Sequence, residues 1–201
     1  MKDQTFDKAS LAVWEACAKD KMRYATSSVQ IAPNRTVATD GRILAVVTSN
    51  LDGCDRSEFT PFLMPAESVK DLAKCISGRG NPGVTELDAE ETEANGHAKF
   101  RHAGGSVVAT KDEGTFPDVD AVIPTGEPTF SVAFNPSMLA RLVKIARACD
   151  GASPKDQTIR LDFFGSIDPC SKGTRAANSP IRVTTSKSSR FTGVLMPICI
   201  D

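Results

Sequence analysis

The spacing of apolar residues along the chain predicts three amphipathic helices. Hydrophobic positions recur at helical intervals over residues 6–20, 66–77 and 136–149. Each stretch begins close to an aspartate, a proline or an asparagine–proline pair, and a glycine follows the second and the third. The helices are therefore expected to lie far apart along the chain, with other elements between them.

Segments rich in β-branched residues and bounded by Gly, Asn or Asp predict short strands around every helix. Three strands follow each helix, and a short one precedes the second and the third. The predicted strands cover residues 28–32, 36–39, 43–49, 62–64, 84–88, 97–102, 106–111, 129–134, 158–163, 181–185 and 192–199. The order is (β)αβββ, βαβββ, βαβββ, so one kind of unit occurs three times.

A helix that lies across an antiparallel sheet of three or four strands is α+β architecture. The pattern therefore predicts an α+β protein of three βαβββ units. A single unit of this kind leaves the edges of its sheet unpaired. We expect the units to pair edge to edge, either within the chain or between chains.

The composition is that of an ordinary globular protein, with 40% apolar residues and 24 basic against 25 acidic side chains. No apolar run approaches the ~18 residues of a membrane span, and the N-terminal residues lack an apolar signal segment. We therefore expect a cytoplasmic protein that does not enter a membrane. The six cysteines are scattered without a C-x-x-C pair, which favours buried free thiols over a disulfide framework or a zinc site.

Basic residues lie on or beside all three predicted helices. The third helix carries Arg141, Lys144 and Arg147 and no acidic residue before Asp150, and their spacing places them opposite the leucine stripe. Acidic residues interrupt the other basic positions, which are Lys8, Lys19, Arg23, Lys70, Lys74 and Arg79. A solvated helix face accounts for any one cluster, but three in a near-neutral chain favour a surface that follows a phosphate backbone. No aromatic residues interleave with these bases, which favours duplex DNA over a stacked single strand.

The motifs of common enzymes occur here only in the wrong context. Residues 78–83 fit Gly-x-Gly-x-x-Gly, but they follow a predicted helix instead of a strand and contain Pro82. No P-loop occurs, and His97 and His102 lie on opposite faces of one predicted strand without a nucleophile motif. We therefore expect a protein that is not an enzyme and that uses no cofactor and no metal ion.

Three segments resemble the bacterial sliding clamp, the β subunit of DNA polymerase III. Residues 35–47, which contain Ala-Thr-Asp-Gly, are similar to a strand–turn–strand of that family. Residues 114–124, Gly-Thr-Phe-Pro-Asp-Val-Asp-Ala-Val-Ile-Pro, resemble its inter-domain segment, and residues 193–197, Gly-Val-Leu-Met-Pro, resemble its C-terminal strand. The three segments occur in the family's order and together extend along the chain.

The resemblance implies a DNA-clamp fold with helices on one face of antiparallel sheets. Residues 1–124 would correspond to the middle clamp domain with both of its halves, and residues 125–201 to the second half of the last domain. Chains of the family hold three two-half domains, and a dimer closes a ring in which twelve helices face DNA. This chain would hold three halves, so four copies would supply twelve helices.

The resemblance also implies two sites. Tyr24, beside Arg23, matches a position that approaches DNA in the family.

The second site is the groove that captures short peptide motifs of polymerases and the clamp loader. It corresponds to Thr39, Gly41, Ile43, Leu44, Pro65, Val69, Val194 and Met196. Arg42 and Ile43 replace a histidine and an arginine of the family, which leaves partner preference open. Ordinary core or turn packing accounts for these residues equally well, and Asp40–Gly41 is by itself a strong hairpin signal.

The interpretation that follows is a sliding-clamp-like processivity factor for a DNA polymerase. It would bind or encircle duplex DNA without reading its sequence, tether partner proteins through the groove, and act as a homo-oligomer, a tetramer or a dimer. The alternative from another class is an interaction module that binds clamp partners, or a clamp, without enclosing DNA.

Overall fold

The computed structural model describes most of the chain as two compact units, residues 1–124 (unit 1) and residues 125–201 (unit 2). The described residues are 4–20, 25–48, 59–76, 84–88, 91–92, 96–126, 128, 131–150, 157–164, 180–185 and 190–198. None of the helices within these ranges is long and apolar enough to cross a membrane.

Unit 1 consists of two successive βαβββ repeats. The first repeat holds β1 (Gln4–Phe6), α1 (Lys8–Ala12), β2 (Ser28–Ala32), β3 (Arg35–Thr39) and β4 (Leu44–Thr48). The second holds β5 (Phe62–Pro65), α2 (Ala66–Cys75), β6 (Thr85–Leu87), β7 (His97–His102) and β8 (Gly105–Thr110). Short 3-10 turns cover Val13–Ala16 after α1 and Asp120–Val122 near the end of the unit.

Unit 2 contains one further repeat, made of α3 (Pro136–Asp150), β9 (Ile159–Asp162), β10 (Ile181–Thr185) and β11 (Thr192–Leu195). The strand predicted before α3 is reduced, within the described residues, to one bridge between Ala133 and Ile198. The strand predicted over 192–199 ends at Leu195, shortly before Pro197, which has no N–H to donate to a ladder. The predicted α+β class is confirmed.

The first predicted helix is wrong in its extent. Phe6 belongs to β1, α1 begins after Asp7, and the chain leaves the helical conformation at Cys17. Asp7 caps α1, since its carboxylate accepts hydrogen bonds from the Ser10 backbone N–H (2.7 Å) and hydroxyl (2.6 Å). The helix ends early because the next segment pairs elsewhere, with the Ala18 N–H donating to the Thr26 carbonyl at 2.7 Å.

The two repeats of unit 1 exchange their first strands. One sheet has the order β1-β6-β7-β8 and the other β4-β3-β2-β5, all antiparallel. Strand β1 of the first repeat therefore completes the sheet of the second, and β5 of the second completes the sheet of the first. This exchange gives each repeat a fourth strand and pairs an edge that would otherwise be open.

One hydrophobic core joins both sheets and both helices of unit 1. Phe6 from β1 and Phe100 from β7 are fully buried in it, and their rings meet edge to face with centroids 6.0 Å apart. Leu11 of α1 and Leu72 of α2 are also fully buried there. The same cluster thus draws on residues from both repeats, so the repeats are expected to fold together.

In unit 2, α3 packs against the sheet of order β11-β10-β9. Leu142 and Ala146 of the helix lie in one cluster with Val183 and Leu195 of the sheet. A methyl group added at Gly193 would approach the Phe191 ring to 2.9 Å and the Leu142 side chain to 3.1 Å. A larger residue at Gly193 would therefore have to displace the ends of the Phe191 and Leu142 side chains, and the glycine allows the helix and the strand to pack closely.

The cysteines in the described residues are free thiols. Cys17 is buried, Cys149 is partly buried and Cys75 is exposed, so the expectation of buried thiols fails at Cys75. Burial raises the pKa of the Cys17 thiol to about 12. The other three, Cys54, Cys170 and Cys199, lie outside the described residues.

Replacing Phe6 by Ala tests the strand exchange, because Phe6 carries the first repeat into the shared core. We expect the free energy of unfolding, measured in urea, to fall by about 3–5 kcal/mol. The control is Val108→Ala on the exposed side of β8, where 60% of the side chain is accessible and the change should be about 0.5 kcal/mol or less. Equal small effects at both positions would contradict the shared core.

Candidate nucleic-acid interface and candidate peptide surfaces

The outer face of α3 carries three exposed basic side chains, Arg141, Lys144 and Arg147. The Arg147 Nε donates to the Gln157 Oε1 at 2.8 Å, which holds that side chain near the end of the helix. Among the described residues of unit 2, Asp162 is the acidic residue that forms ion pairs. Its partners are Arg160 and Arg182, which lie on the sheet and not on α3. The positive charge of this helix face is therefore not neutralised by the described part of its own unit.

The basic residues on the helices of unit 1 are more strongly compensated. Lys74 of α2 forms an ion pair with Asp71 at 2.8 Å, and both side chains are largely exposed. Lys70 Nζ lies 5.0 Å from the centre of the Trp14 ring, a cation–π contact. Lys8 and Lys19 are exposed, Lys8 in the first turn of α1 and Lys19 beyond its 3-10 extension. Exposed pairs of this type are worth little energy, so these charges stay accessible to a polyanion.

Three of the predicted DNA-contacting residues, Arg23, Tyr24 and Arg79, lie outside the described residues.

Trp14 was not among the site residues predicted from the sequence, but the structure places it at a cavity in unit 1. Trp14 lines a cavity of about 470 Å³ between the 3-10 turn and the start of α2, together with Lys19, Glu67 and Lys70. Its only signal in the sequence was its place in the apolar stripe of the first helix, where it could not be distinguished from a core residue.

Three of the predicted groove residues of unit 1 lie on one line across the sheet. The register pairs Thr39 with Leu44 and Ser28 with Pro65. Continued two residues beyond its last pair, Gln30 with Val37, the β2–β3 ladder aligns Ser28 with Thr39. Neighbouring strands are ~4.8 Å apart, so the line from Leu44 to Pro65 is about 14 Å long. Its ends are partly exposed, whereas Thr39 is 8% exposed and Ser28 is fully buried.

The turn between β3 and β4 is built by its own polar side chains. The Thr39 hydroxyl donates to the Ile43 carbonyl at 2.6 Å and accepts from the Gly41 N–H at 3.0 Å. The Asp40 carboxylate accepts from the N–H groups of Arg42 (2.8 Å) and Ile43 (2.9 Å), and these bonds, led by that of Ile43, lower the pKa of Asp40. Gly41 has a φ of +85°, which favours glycine. The turn leaves the Ile43 side chain 54% exposed.

Val69 differs from the other predicted groove residues because it is fully buried in the core of unit 1. It offers no surface to a peptide, and its role in the described structure is core packing.

In unit 2, Val194 and Met196 are 61% and 54% exposed, whereas the neighbouring residues Gly193 and Leu195 are buried. The strand alternation thus places an open apolar patch on the outer face of β11.

The segment that resembles the inter-domain sequence of clamps is anchored on unit 1. Phe116 and Val119 are buried against Val37 and Leu63 on the sheet that contains β3 and β5. The Arg35 guanidinium binds both carboxylate oxygens of Asp120, at 2.6 and 2.7 Å, and these hydrogen bonds hold the pKa of Asp120 below its usual range. The Gly-x-Phe-Pro-Asp pattern therefore has a packing role in this chain.

Comparison with solved structures identifies the fold. The chain superimposes on the β subunit of DNA polymerase from Streptococcus pyogenes with a TM-score of 0.68 and 16% identity, covering 99% of this chain and 51% of that one. A DNA polymerase III β subunit from Eubacterium rectale gives 0.66 and 11%, covering 98% and 50%, and a sliding clamp from Pseudomonas aeruginosa gives 0.64 and 14%, covering 98% and 51%. No protein-family model and no curated protein sequence matches the chain.

The fold is therefore that of the bacterial sliding clamps, and the resemblance drawn from the three sequence segments is confirmed at the level of fold. The chain spans about half the length of these clamp chains. Within the described residues, no group of three or more His, Cys, Asp or Glu side chains is placed to hold a metal ion.

Replacing Asp40 by Ala removes the carboxylate that holds the β3–β4 turn, and we expect a loss of about 1 kcal/mol in the free energy of unfolding at pH 7. Because the pKa of Asp40 is lowered in the folded protein, its contribution is complete above about pH 4 and is lost as the pH falls through the folded value. The difference between the two proteins should therefore shrink in acid. A difference that is independent of pH would contradict the role of the charged carboxylate.

Proposed function

We propose that this protein is a sliding-clamp-like, non-enzymatic processivity factor that binds duplex DNA without sequence preference. The observation that carries the proposal is the uncompensated basic face of α3, formed by Arg141, Lys144 and Arg147, on a clamp fold. Lys and Arg side chains on a rigid helix neutralise phosphates but do not read bases. Binding of this type is weak per contact and decreases with salt, so the protein can move along the duplex.

The proposal includes capture of partner proteins through apolar surface. Ile43 with Leu44 and Pro65 in unit 1, and Val194 with Met196 in unit 2, present aliphatic side chains that are exposed or partly exposed. Such surface fits the aliphatic or aromatic anchors of short peptide motifs, and Met196 can adapt its shape to different anchors. We assign these patches to polymerases and clamp-loader proteins, with which the protein would act on cytoplasmic DNA.

A homo-oligomer is part of the same proposal. The chain spans about half of the clamp chains it resembles, and each of its three repeats has one described helix that follows the repeat's first strand or the equivalent segment. Four copies would supply the twelve helices expected of a closed ring. The alternative, an interaction module without DNA binding, would keep the apolar patches and make no use of the basic face of α3.

Replacing Arg141, Lys144 and Arg147 together by Ala tests the DNA-binding face. The slope of log K against log salt for duplex binding should become shallower by about 2 to 3, because each lost phosphate contact removes about 0.9. The matched control replaces Lys99, Arg101 and Arg182 by Ala, which removes the same charge from side chains paired with carboxylates. Fluorescence anisotropy with a labelled duplex measures both. An unchanged slope in the first variant, or equal changes in both, would contradict the proposal.

Replacing Leu44 and Met196 together by Ala tests partner capture. We expect affinity for a fluorescent peptide with one leucine and one phenylalanine anchor to fall about tenfold or more, since buried apolar contacts are lost. Duplex binding should stay unchanged in the same variant. Val108→Ala, at an exposed apolar position of β8, is the control for non-specific apolar binding. Peptide affinity that is equal in all three proteins would refute the assignment of these patches.

A further inference from the structure

The segment before α3 occupies the same place in its repeat as β5 does in unit 1. In unit 1, the Asp112 N–H donates to the Leu63 carbonyl of β5 at 2.9 Å, which links β5 to the end of its own repeat. In unit 2, the Ile198 N–H donates to the Ala133 carbonyl, also at 2.9 Å. Leu63 and Ala133 each lie two residues before the cap of the following helix, Pro65 and Asn135. The segment 131–134 therefore holds the position of the first strand in the third repeat, although one bridge is its only described strand pairing.

The other side of that segment differs between the two units. In unit 1, β5 also pairs along its length with β2 of the sister repeat. The described residues of unit 2 contain no sister repeat, and the strand pairing that they show for the segment 131–134 is its single bridge to Ile198. The edge of segment 131–134 that corresponds to the β2-facing edge of β5 therefore has no described strand beside it. A partner strand could pair there antiparallel, as β2 pairs with β5.

The complementary edge is present on β9. Strands β2 and β6 hold the corresponding place in their repeats, and each accepts the first strand of the sister repeat. Strand β9 is the edge of the described sheet β11-β10-β9. Ile159 and Leu161 face the core of unit 2, as Val29 and Ile31 of β2 face the core of unit 1. The two repeats of unit 1 thus fix how a partner strand would lie on β9.

Exposed large apolar side chains are more frequent in the described part of unit 2 than in that of unit 1. Of the twelve exposed large apolar side chains in the described residues, seven belong to unit 2, although it is the smaller unit. Phe163 and Phe164, 40% and 52% exposed, follow directly after the edge strand β9. Apolar surface beside an open strand edge indicates a covering partner.

We propose that unit 2 binds unit 2 of a second copy of this chain by exchange of first strands. The segment 131–134 of each copy pairs antiparallel with β9 of the other, which gives two four-stranded sheets with the topology of unit 1. Because each copy supplies both edges, the interface is two-fold symmetric and closes on itself. The proposal rests on the fold and does not depend on the proposed DNA binding.

The register follows from unit 1. Leu63 pairs with Gln30 and Met64 with Val29 in the β5–β2 ladder. Carried over by the equivalent positions, Ala133 lies opposite Arg160 of the second copy, and Phe134 lies opposite Ile159. Phe134, Ile159 and Leu161 are partly buried at the margin of the unit 2 core and would be covered by the pairing. The resulting dimer holds six repeats, or three complete two-repeat domains.

Disulfide trapping between separately made chains tests this register. One full-length chain carries Ala133→Cys and the other Arg160→Cys, both in a background in which the six native cysteines are Ser. Directly opposed residues of an antiparallel pair have Cα atoms about 4.5–5.5 Å apart, within disulfide reach. After mixing, subunit exchange and oxidation, we expect a covalent dimer that a reducing agent separates. Either chain alone should stay uncrosslinked.

The control mixture pairs Ala133→Cys with Asp162→Cys, which is two residues out of register and should crosslink far less. Equal crosslinking in both mixtures, or none in the first, would overturn the proposal. Hydrogen exchange on the unaltered chain gives a second test that needs no cysteine. Amides of β9 should gain protection at the concentrations where light scattering shows an even number of subunits. A monomer at all concentrations, or β9 exchange that does not change on association, would also overturn it.

Discussion

The exchange of first strands between repeats is the interaction on which the rest of this structure depends. In each βαβββ repeat of unit 1, the helix separates the first strand from the other three strands along the chain. The first strand forms its hydrogen bonds with a strand of the other repeat. In unit 1 the exchange pairs β1 with β6 and β5 with β2. It satisfies backbone groups that would otherwise face water or a foreign strand. It also carries Phe6 into a core shared by both repeats.

The same constraint separates the two faces of each helix. The sheets and the shared core use the apolar side of α2 and α3, so the opposite side is free to carry charge. The repeats use this freedom differently. On α2, Asp71 compensates Lys74, whereas the described part of unit 2 leaves Arg141 and Lys144 of α3 without an ion-pair partner. The charge on a clamp helix can thus vary from repeat to repeat without a change in fold.

The sequence predicted the elements whose periodicity is local. Strands 28–32, 97–102 and 181–185 have the predicted bounds, and α3 extends one residue further than expected. The first helix was overextended because Val13 and Cys17 continue the apolar spacing, although they are buried after the α-helix has ended. The exchange of strands could not be predicted, since it depends on pairing between residues as distant as Gln4 and Leu87.

The candidate sites show the same limit. The hairpin chemistry of Asp40 and Gly41 was readable, because the turn is made by the residues themselves. The burial of Val69 could not be read from the sequence. A core valine and a groove-lining valine on an amphipathic helix have the same spacing, and only the packing distinguishes them. The uncompensated charge of α3 was visible in part, because no acidic residue precedes Asp150 on the helix. Whether another element places a carboxylate beside these basic side chains depends on the tertiary structure and could not be predicted from the sequence.

A cryo-electron microscopy structure of the full-length protein with a duplex oligonucleotide is the most direct test of the central claim. The account predicts duplex density against the outer face of α3, with the side chains of Arg141 and Lys144 directed at phosphates and no base contacts. Duplex density against the sheets, with that helix face directed away from it, or particles that contain no duplex, would contradict the account.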